Sequence, residues 1–338
     1  MKALVYDSAG KFSLKDVEKP KSDPDSVIIK VKACGFCKTD LHIHHGRFIS
    51  QFPLIPGHEF TGIIEQIGSE VEGFQVGDRV VADNTLLCGH CYYCKKDKPL
   101  FCENFYSLGV TGPGGYAEYV KVKAKKVFKT KLDFLEAIFV EPTACAVHGM
   151  EMIDVQPGDD VLQFGAGPTG MILAQLIKYG GTGTLVVCDP NQFKLEKLNH
   201  VADDEIVVDR NNYESHKKGI LEKYPRGFDI VVEASGIPKM FEDCHLYTKY
   251  GGKIIAYGVY PEEAMVQVNP YEIFRKELKL IGSFAQTHKF EAAIKMLEHG
   301  QVRVKNLVTH KFSLEQYQEA LDVVQNRKDK IKVAIVFD

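Results

Sequence analysis

The chain has 338 residues, 45% of them hydrophobic and 26% charged, with a formal net charge of -3 and a pI of about 6.5. That length argues for two domains rather than one core. The weakly acidic balance argues against a nucleic-acid partner, because phosphate binding needs clustered Lys and Arg, and no apolar stretch reaches the roughly 18 residues of a membrane-spanning helix.

The first part of the chain is strand-rich. Met1-Lys2 runs straight into Ala3–Tyr6, a strand pattern without the apolar core and cleavage site of a leader peptide. Val27–Ala33, Thr61–Ile67 and Arg79–Ala82 are further short β runs, with Gly73–Asp78 as the turn before the last. Between the runs lie Cys37, in the segment Gly35–His42, and His58-Glu59, where a loop after Pro56 enters a strand. Cysteine, histidine and an acid are three ligand types that leave one zinc position open, as hydrolytic and redox sites require. Each alone also reads as a buried thiol, a capped histidine or a solvated acid. Cys34 ends a strand and reads as a core thiol, and His44 and His45 read as solvated.

Next comes Cys88-Gly89-His90-Cys91-Tyr92-Tyr93-Cys94 and, after seven more residues, Cys102. The intervening segment has no helical or strand period, so it is a loop that a metal can hold. Four thiolates so spaced suit a closed tetrahedral zinc site. A bacterial-type iron–sulfur run would have three residues before its last cysteine and a proline after it; here Glu103 follows. Two ligand sets imply two Zn²⁺ per chain. Nine cysteines, four of them in metal spacing, suit a reducing compartment and hence a cytoplasmic protein. Lys121, Lys123, Lys125 and Lys126 alternate with Val122 and Val127 as an edge strand with one solvated face.

From about Val155 the rhythm changes. Strands are predicted at Val161–Phe164, Leu185–Cys188, Glu205–Val208, Asp229–Glu233, Lys253–Tyr257 and Leu278–Ile281, with helical patterns after the first two, at Met171–Ile177 and Lys194–Leu198. Alternation of this kind predicts right-handed crossovers and a doubly wound parallel sheet. Gly165-x-Gly167-x-x-Gly170, with Pro168 and Thr169 inside it, follows the first strand and opens the first helix, the context of a dinucleotide loop. Asp189 ends the second strand, where a carboxylate accepts from an adenosine ribose. Lys194 is the nearby cation, and Ser235, Gly258 and Val259, after later strands, complete the expected cofactor set. Asp189 would repel a 2′-phosphate and no Arg follows it, so NAD is expected, with NADP as the alternative. Helices at Lys289–His299 and Leu314–Asn326 and a strand at Lys332–Phe337 end the chain.

Gly57-His58-Glu59-x2-Gly62-x5-Gly68, the Cys37–His42 segment, Val76–Val80, the four-cysteine lobe and the glycine loop occur in one order along essentially the whole chain. Together they resemble the zinc-containing medium-chain alcohol dehydrogenases. The resemblance implies an α/β protein: a GroES-like β-rich catalytic domain (1–144 and 285–338) and a Rossmann domain (145–284). It makes Cys37 and His58 catalytic-zinc ligands, with Glu59 ligating directly or alternating with substrate or water, and Asp40 orienting His58. Thr39 would take the alcohol proton and His42 would pass it on. Where simple-alcohol members have a cysteine, this chain has Glu141-Pro142, as polyol dehydrogenases do, with Cys145 as a rival ligand. The run His42–Phe48 is most similar to the D-arabitol dehydrogenases of yeasts and fungi. The resemblance thus implies polyol oxidation to a ketose by a homodimer or homotetramer. Two other readings are a threonine-type dehydrogenase and a non-catalytic nucleotide-binding relative.

Overall fold

The computed structural model describes residues 1–198, 200–209 and 212–338. The chain divides into two units, Met1–Ala144 with Thr287–Asp338, and Cys145–Gln286.

The first unit opens with an antiparallel pair, β1 (Lys2–Ser8) and β2 (Lys11–Asp16). β3 (Ser26–Phe36), β4 (Glu59–Ile67) and β5 (Arg79–Ala82) form an antiparallel sheet, with the short helix α1 (Lys38–His44) inserted after β3. β6 (Thr85–Leu86) pairs with β7 (Tyr106–Ser107) and closes the base of the cysteine-rich loop, which carries the one-turn helix α2 (Tyr92–Lys95). β8 (Tyr119–Lys123) pairs with β3 and β9 (Val127–Lys129) with β5. The lysine-rich run is therefore not one edge strand. A 3₁₀ turn at Ala124–Lys126 breaks it and sends its two halves to different partners. α3 (Phe134–Ala137) and α4 (Val140–Ile153) come next.

The second unit alternates strand and helix: β10 (Asp160–Phe164), α5 (Pro168–Tyr179), β11 (Thr184–Asp189), α6 (Gln192–Leu195), β12 (Asp204–Val207), α7 (Tyr213–Lys223), β13 (Phe228–Glu233), α8 (Pro238–Tyr247), β14 (Thr248–Ala256), α9 (Pro270–Lys276) and β15 (Lys279–Gly282). All six strands are parallel, in the order β12-β11-β10-β13-β14-β15. The central strands are mostly apolar, as strands covered on both faces are, with Gln163 a buried polar residue inside β10. Leu162, Phe164, Val186, Val231, Cys188 and Cys244 share its core.

The chain then returns to the first unit through α10 (Phe290–Glu298), β16 (Val308–Phe312), α11 (Tyr317–Asn326) and β17 (Lys332–Val336). This completes the sheet order β16-β17-β3-β4-β5-β9. Its registers bring distant segments side by side: Gly35 on β3 faces Glu59 on β4, and Phe36 faces Val333 on β17. Among the described residues no helix is long and apolar enough to cross a membrane.

Candidate metal centres and nucleotide site

Cys37 caps α1 with extended backbone, and its N–H donates to the Asp40 carboxylate at 2.8 Å. The first turn of α1 is thereby locked, with Thr39 half-buried and its hydroxyl 3.6 Å from the Cys37 sulfur. His58 arrives from the loop before β4, and Glu59 is the first residue of that strand. One ligand atom each from Cys37, His58 and Glu59 lies within 4.8 Å of the others. His58 and Glu59 are buried.

Burial opposes a charge on His58, but the Cys37 sulfur and the Asp40 and Glu141 carboxylates outweigh it and push its pKa well above the usual histidine range. Its Nδ1 is buried without a hydrogen-bond partner and stands 4.0 Å from Asp40 Oδ1, short of a hydrogen bond. Anionic groups gathered round a buried imidazole with an orphaned nitrogen are a donor set that a divalent cation fits. Glu141, on the first turn of α4, is felt by both His58 and Lys332, but is not one of the three clustered ligands. Cys145 lies one helical turn further along α4.

Two residues of this site were not singled out from the sequence. Lys332 is buried and ion-paired with Glu59. Burial would lower its pKa, but Glu59, Cys37 and Glu141 more than offset this and hold the ammonium charged. The pair spans β3 at Gly35, where a Cβ would meet the Glu59 carboxylate oxygen at 2.1 Å and Lys332 Cε at 2.8 Å. Tyr116, fully buried, donates its hydroxyl to Asp40 at 3.0 Å. A lysine opening an otherwise apolar strand was the available sequence signal for Lys332; Tyr116 offered none.

Cys88, Cys91, Cys94 and Cys102 also bring their sulfurs within 4.8 Å of one another. Four sulfurs about 2.3 Å from one tetrahedral centre lie about 3.8 Å apart, and Cys91 and Cys102 are separated by 3.9 Å. Backbone N–H groups of Cys88 and Cys91 point at the Cys102 and Cys88 sulfurs, each at 3.3 Å. Such donors, with that of His90 foremost, pull the Cys88 thiol down to about 5, while desolvation pushes the Cys94 thiol up to about 12. The set fits a zinc ion held by thiolates.

In the second unit Gly165 has φ +105, and a Cβ there would meet the Ala234 carbonyl carbon at 2.9 Å. Gly167 caps α5, Pro168 and Thr169 open it, and a Cβ on Gly167 would meet nothing within 4 Å, so that face of the loop is open. Buried Gln163 donates to the carbonyls of Gly165 and Gly170, each at 2.9 Å, and pins the loop from below. Asp189 is buried at the end of β11 and accepts from Ala166 N–H at 2.8 Å and Asn191 N–H at 2.9 Å. Lys194 lies on α6, Ser235 after β13, and Gly258 and exposed Val259 after β14. These segments all leave the C-terminal ends of parallel strands, where open α/β sheets bind their ligands.

Family models match the chain at residues 23–132, described as an alcohol dehydrogenase GroES-like domain, and at residues 168–299, described as a zinc-binding dehydrogenase. The chain is 44% identical to "D-arabinitol dehydrogenase 1" of Uromyces fabae, over 99% of this chain and 97% of that protein. It is 34% identical to "L-threonine 3-dehydrogenase" of Alteromonas mediterranea, over 96% of each. A crystal structure from Sinorhizobium meliloti 1021, bound to NADP, superposes with a TM-score of 0.92 at 30% identity over 99% of both chains.

Proposed function

Since the chain belongs to the zinc-binding alcohol dehydrogenase family, we propose that it oxidises a secondary hydroxyl of a sugar alcohol, D-arabitol first, to the ketose with NAD. The observation that carries the reaction is the Cys37–His58–Glu59 cluster, half-buried at Cys37 and buried at His58 and Glu59, a mixed donor set of the kind that catalytic zinc sites use. The choice of polyol is supported by the 44% identity to the Uromyces protein, against 34% to the threonine enzyme. Retention of every family metal ligand speaks against a non-catalytic relative.

Cys37, His58 and Glu59, with Glu141, would hold the catalytic zinc, and Cys88, Cys91, Cys94 and Cys102 the structural one. The catalytic ion supplies Lewis acidity that lets an alcohol give up its proton near neutral pH. Thr39 takes that proton. His42 stands one turn on, on the same face of α1. Burial, then Lys38, Arg47 and His45, lower the His42 pKa and keep it neutral, ready to carry the proton away. Asp40 holds the Cys37 end of the helix, and Lys332 stays charged and ion-paired with Glu59 beside the ligands.

The N–H groups at the start of α5, through Gly165, Gly167, Pro168, Thr169 and Gly170, would receive the pyrophosphate. Asp189 and Lys194 would take the adenosine ribose, and Ser235, Gly258 and Val259 the remainder of the cofactor. NAD is the preferred dinucleotide because Asp189 repels a 2′-phosphate, and the NADP-bound Sinorhizobium structure keeps NADP as the alternative. We assign residues 1–144 and 285–338 to the catalytic domain and 145–284 to the dinucleotide domain. A cytoplasmic location suits nine cysteines, four of them gathered as one metal-ligand set. A homodimer or homotetramer suits the sheet edge at β15, where Leu280 and Phe284 are exposed.

The test is steady-state turnover of the full-length protein, followed by nicotinamide absorbance, with NAD⁺ or NADP⁺ and D-arabitol, sorbitol, xylitol or L-threonine. D-arabitol with NAD⁺ should give the highest kcat/KM. Turnover of threonine alone, or of nothing, would overturn the proposal.

A further inference from the structure

One carboxylate of the second unit has no part in the zinc and proton chemistry. Glu233, the last residue of β13, is fully buried. Its side chain collects four donors: the N–H groups of Ser235 at 2.9 Å and Gly236 at 3.0 Å, the Ser235 hydroxyl and the Tyr260 phenol. Its own carbonyl accepts from the N–H groups of Tyr257 at 3.0 Å and Gly258 at 2.8 Å. One residue therefore ties the turn after β13 to the segment after β14.

The two segments also touch. A Cβ on Gly236 would meet the Val259 carbonyl oxygen at 2.3 Å, and one on Gly258 would meet the Gly236 nitrogen at 2.3 Å. Tyr260 is steadied from α8 by the Phe241 ring, edge to face with centroids 5.9 Å apart. Burial, and then the Glu233 charge, push the phenol far above the usual tyrosine range, so it stays a donor. Burying a carboxylate is costly unless its lone pairs are filled. A strand-to-helix turn needs no charge, so this one serves something other than a reversal of the chain.

The place of the pair in the sheet indicates its role. The strand order reverses at β10, with β11 on one side and β13 on the other. Ligands of such sheets lie across that switch point, outside the carboxyl ends of the strands. With Asp189 and the adenosine half over the end of β11, the other half of a dinucleotide extends over the ends of β13 and β14. We propose that Glu233 and Tyr260 are positioning residues that hold 234–236 and 257–260 as one preformed edge for the nicotinamide half of the cofactor. This rests on the reading of the second unit as a dinucleotide site. Neither residue need touch the cofactor; they act through Ser235, Gly258 and Val259.

The test uses Tyr260→Phe, which removes one donor and keeps the ring against Phe241, with Glu233→Gln as a second variant. NADH and AMP affinities are measured by titration of the zinc-loaded full-length protein, with the thermal midpoint as a control. AMP probes the adenosine half alone. Tyr260→Phe should weaken NADH by about tenfold, the size of one lost hydrogen bond to a charge. It should leave AMP unchanged and raise KM for NAD⁺ far more than it lowers kcat. Equal losses for NADH and AMP would mean general loosening of the unit and would overturn the inference. Unchanged NADH affinity in Tyr260→Phe, with normal binding by the wild type, would overturn this inference alone. Wild-type protein that bound no NADH would overturn the dinucleotide reading and this inference with it.

Discussion

The two cysteine-bearing clusters of the first unit are built in opposite ways. The lobe draws four sulfurs from fifteen consecutive residues, Cys88 to Cys102, on a segment with a one-turn helix and a two-residue strand at its base. The Cys37–His58–Glu59 cluster draws its atoms from the end of β3, the start of β4 and, through Lys332, from β17 near the end of the chain. Local spacing makes the first set and leaves its fold dependent on the ion. Sheet pairing makes the second set, so its side chains are in place because the core has formed. One set is four cysteines; the other combines a thiol with an imidazole and a carboxylate.

The largest effects should separate the two. Cys91→Ser should abolish soluble folded protein, because a structural zinc contributes about 10–16 kcal/mol of apparent binding free energy to folding. Cys37→Ser should fold, lose activity and carry about one zinc where the parent carries about two, by elemental analysis. Equal folding yields for the two variants would erase the distinction between them.

Within the second cluster the proton path is expected to matter next. Thr39→Ala should lower kcat by roughly 10²–10⁴, the usual range for a lost acid–base group. His42→Gln should cost much less, because buffer can carry the proton from there; near-normal turnover of Thr39→Ala would remove the relay. Glu141→Ala should weaken activity by about tenfold to a hundredfold without unfolding the chain, the range seen for groups that support a metal site. If Cys145→Ala is the damaging change instead, the fourth ligand is the cysteine. Lys332→Met should destabilise the chain by about 3–5 kcal/mol, the cost of leaving one partner of a buried ion pair uncompensated. Denaturant unfolding would measure it, and adding Glu59→Gln should restore most of the loss. A neutral Lys332→Met variant would mean that Glu59 is held some other way.

The same division separates the features legible in the sequence from those hidden in it. The lobe, the glycine loop and Asp189 were legible because spacing along the chain sets their geometry. Cys37 and His58 were legible as ligand types, but the sequence did not show α1, whose seven residues are too short for a periodic signal. Lys332 was hidden because a lysine opening a strand reads as solvated. Only the alignment of β17, β3 and β4, and the missing side chain of Gly35, bring it against Glu59. Tyr116, Gln163 and Glu233 were hidden for the same reason: each acts on a segment fixed by the fold, and none lies in a motif. Glu141 entered as a zinc ligand through the family resemblance alone, and in the structure it stands on the first turn of α4, near enough to act on His58 and Lys332.

The smallest expected effect distinguishes α1 from the lobe by pH. Burial is the first cause that lowers the pKa of both His42 and His44, followed by Lys38, Arg47 and His45 at the first and by His45 at the second. In the unfolded chain both titrate near the ordinary histidine value of about 6.5. As pH falls below that value the unfolded state takes up protons that the native state still refuses, so stability falls with acidification until the native pKa values are passed. Above about 6.5 neither state is protonated at these positions, and they contribute no pH dependence. The sign is opposite to that of a salt-bridged histidine, which would gain stability in acid. His44 also accepts or donates at Tyr6, whose hydroxyl lies 3.0 Å from its Nδ1. His44→Gln can keep that contact while removing the titration. On going from neutral to mildly acidic buffer the thermal midpoint of the wild type should therefore fall further, or rise less, than that of His44→Gln. Zinc retained by the lobe, followed in the same samples, should not track this change, because neither His42 nor His44 is among the four lobe cysteines that would hold it. A midpoint that fell in step with loss of lobe zinc would place the acid sensitivity in the lobe and not in α1.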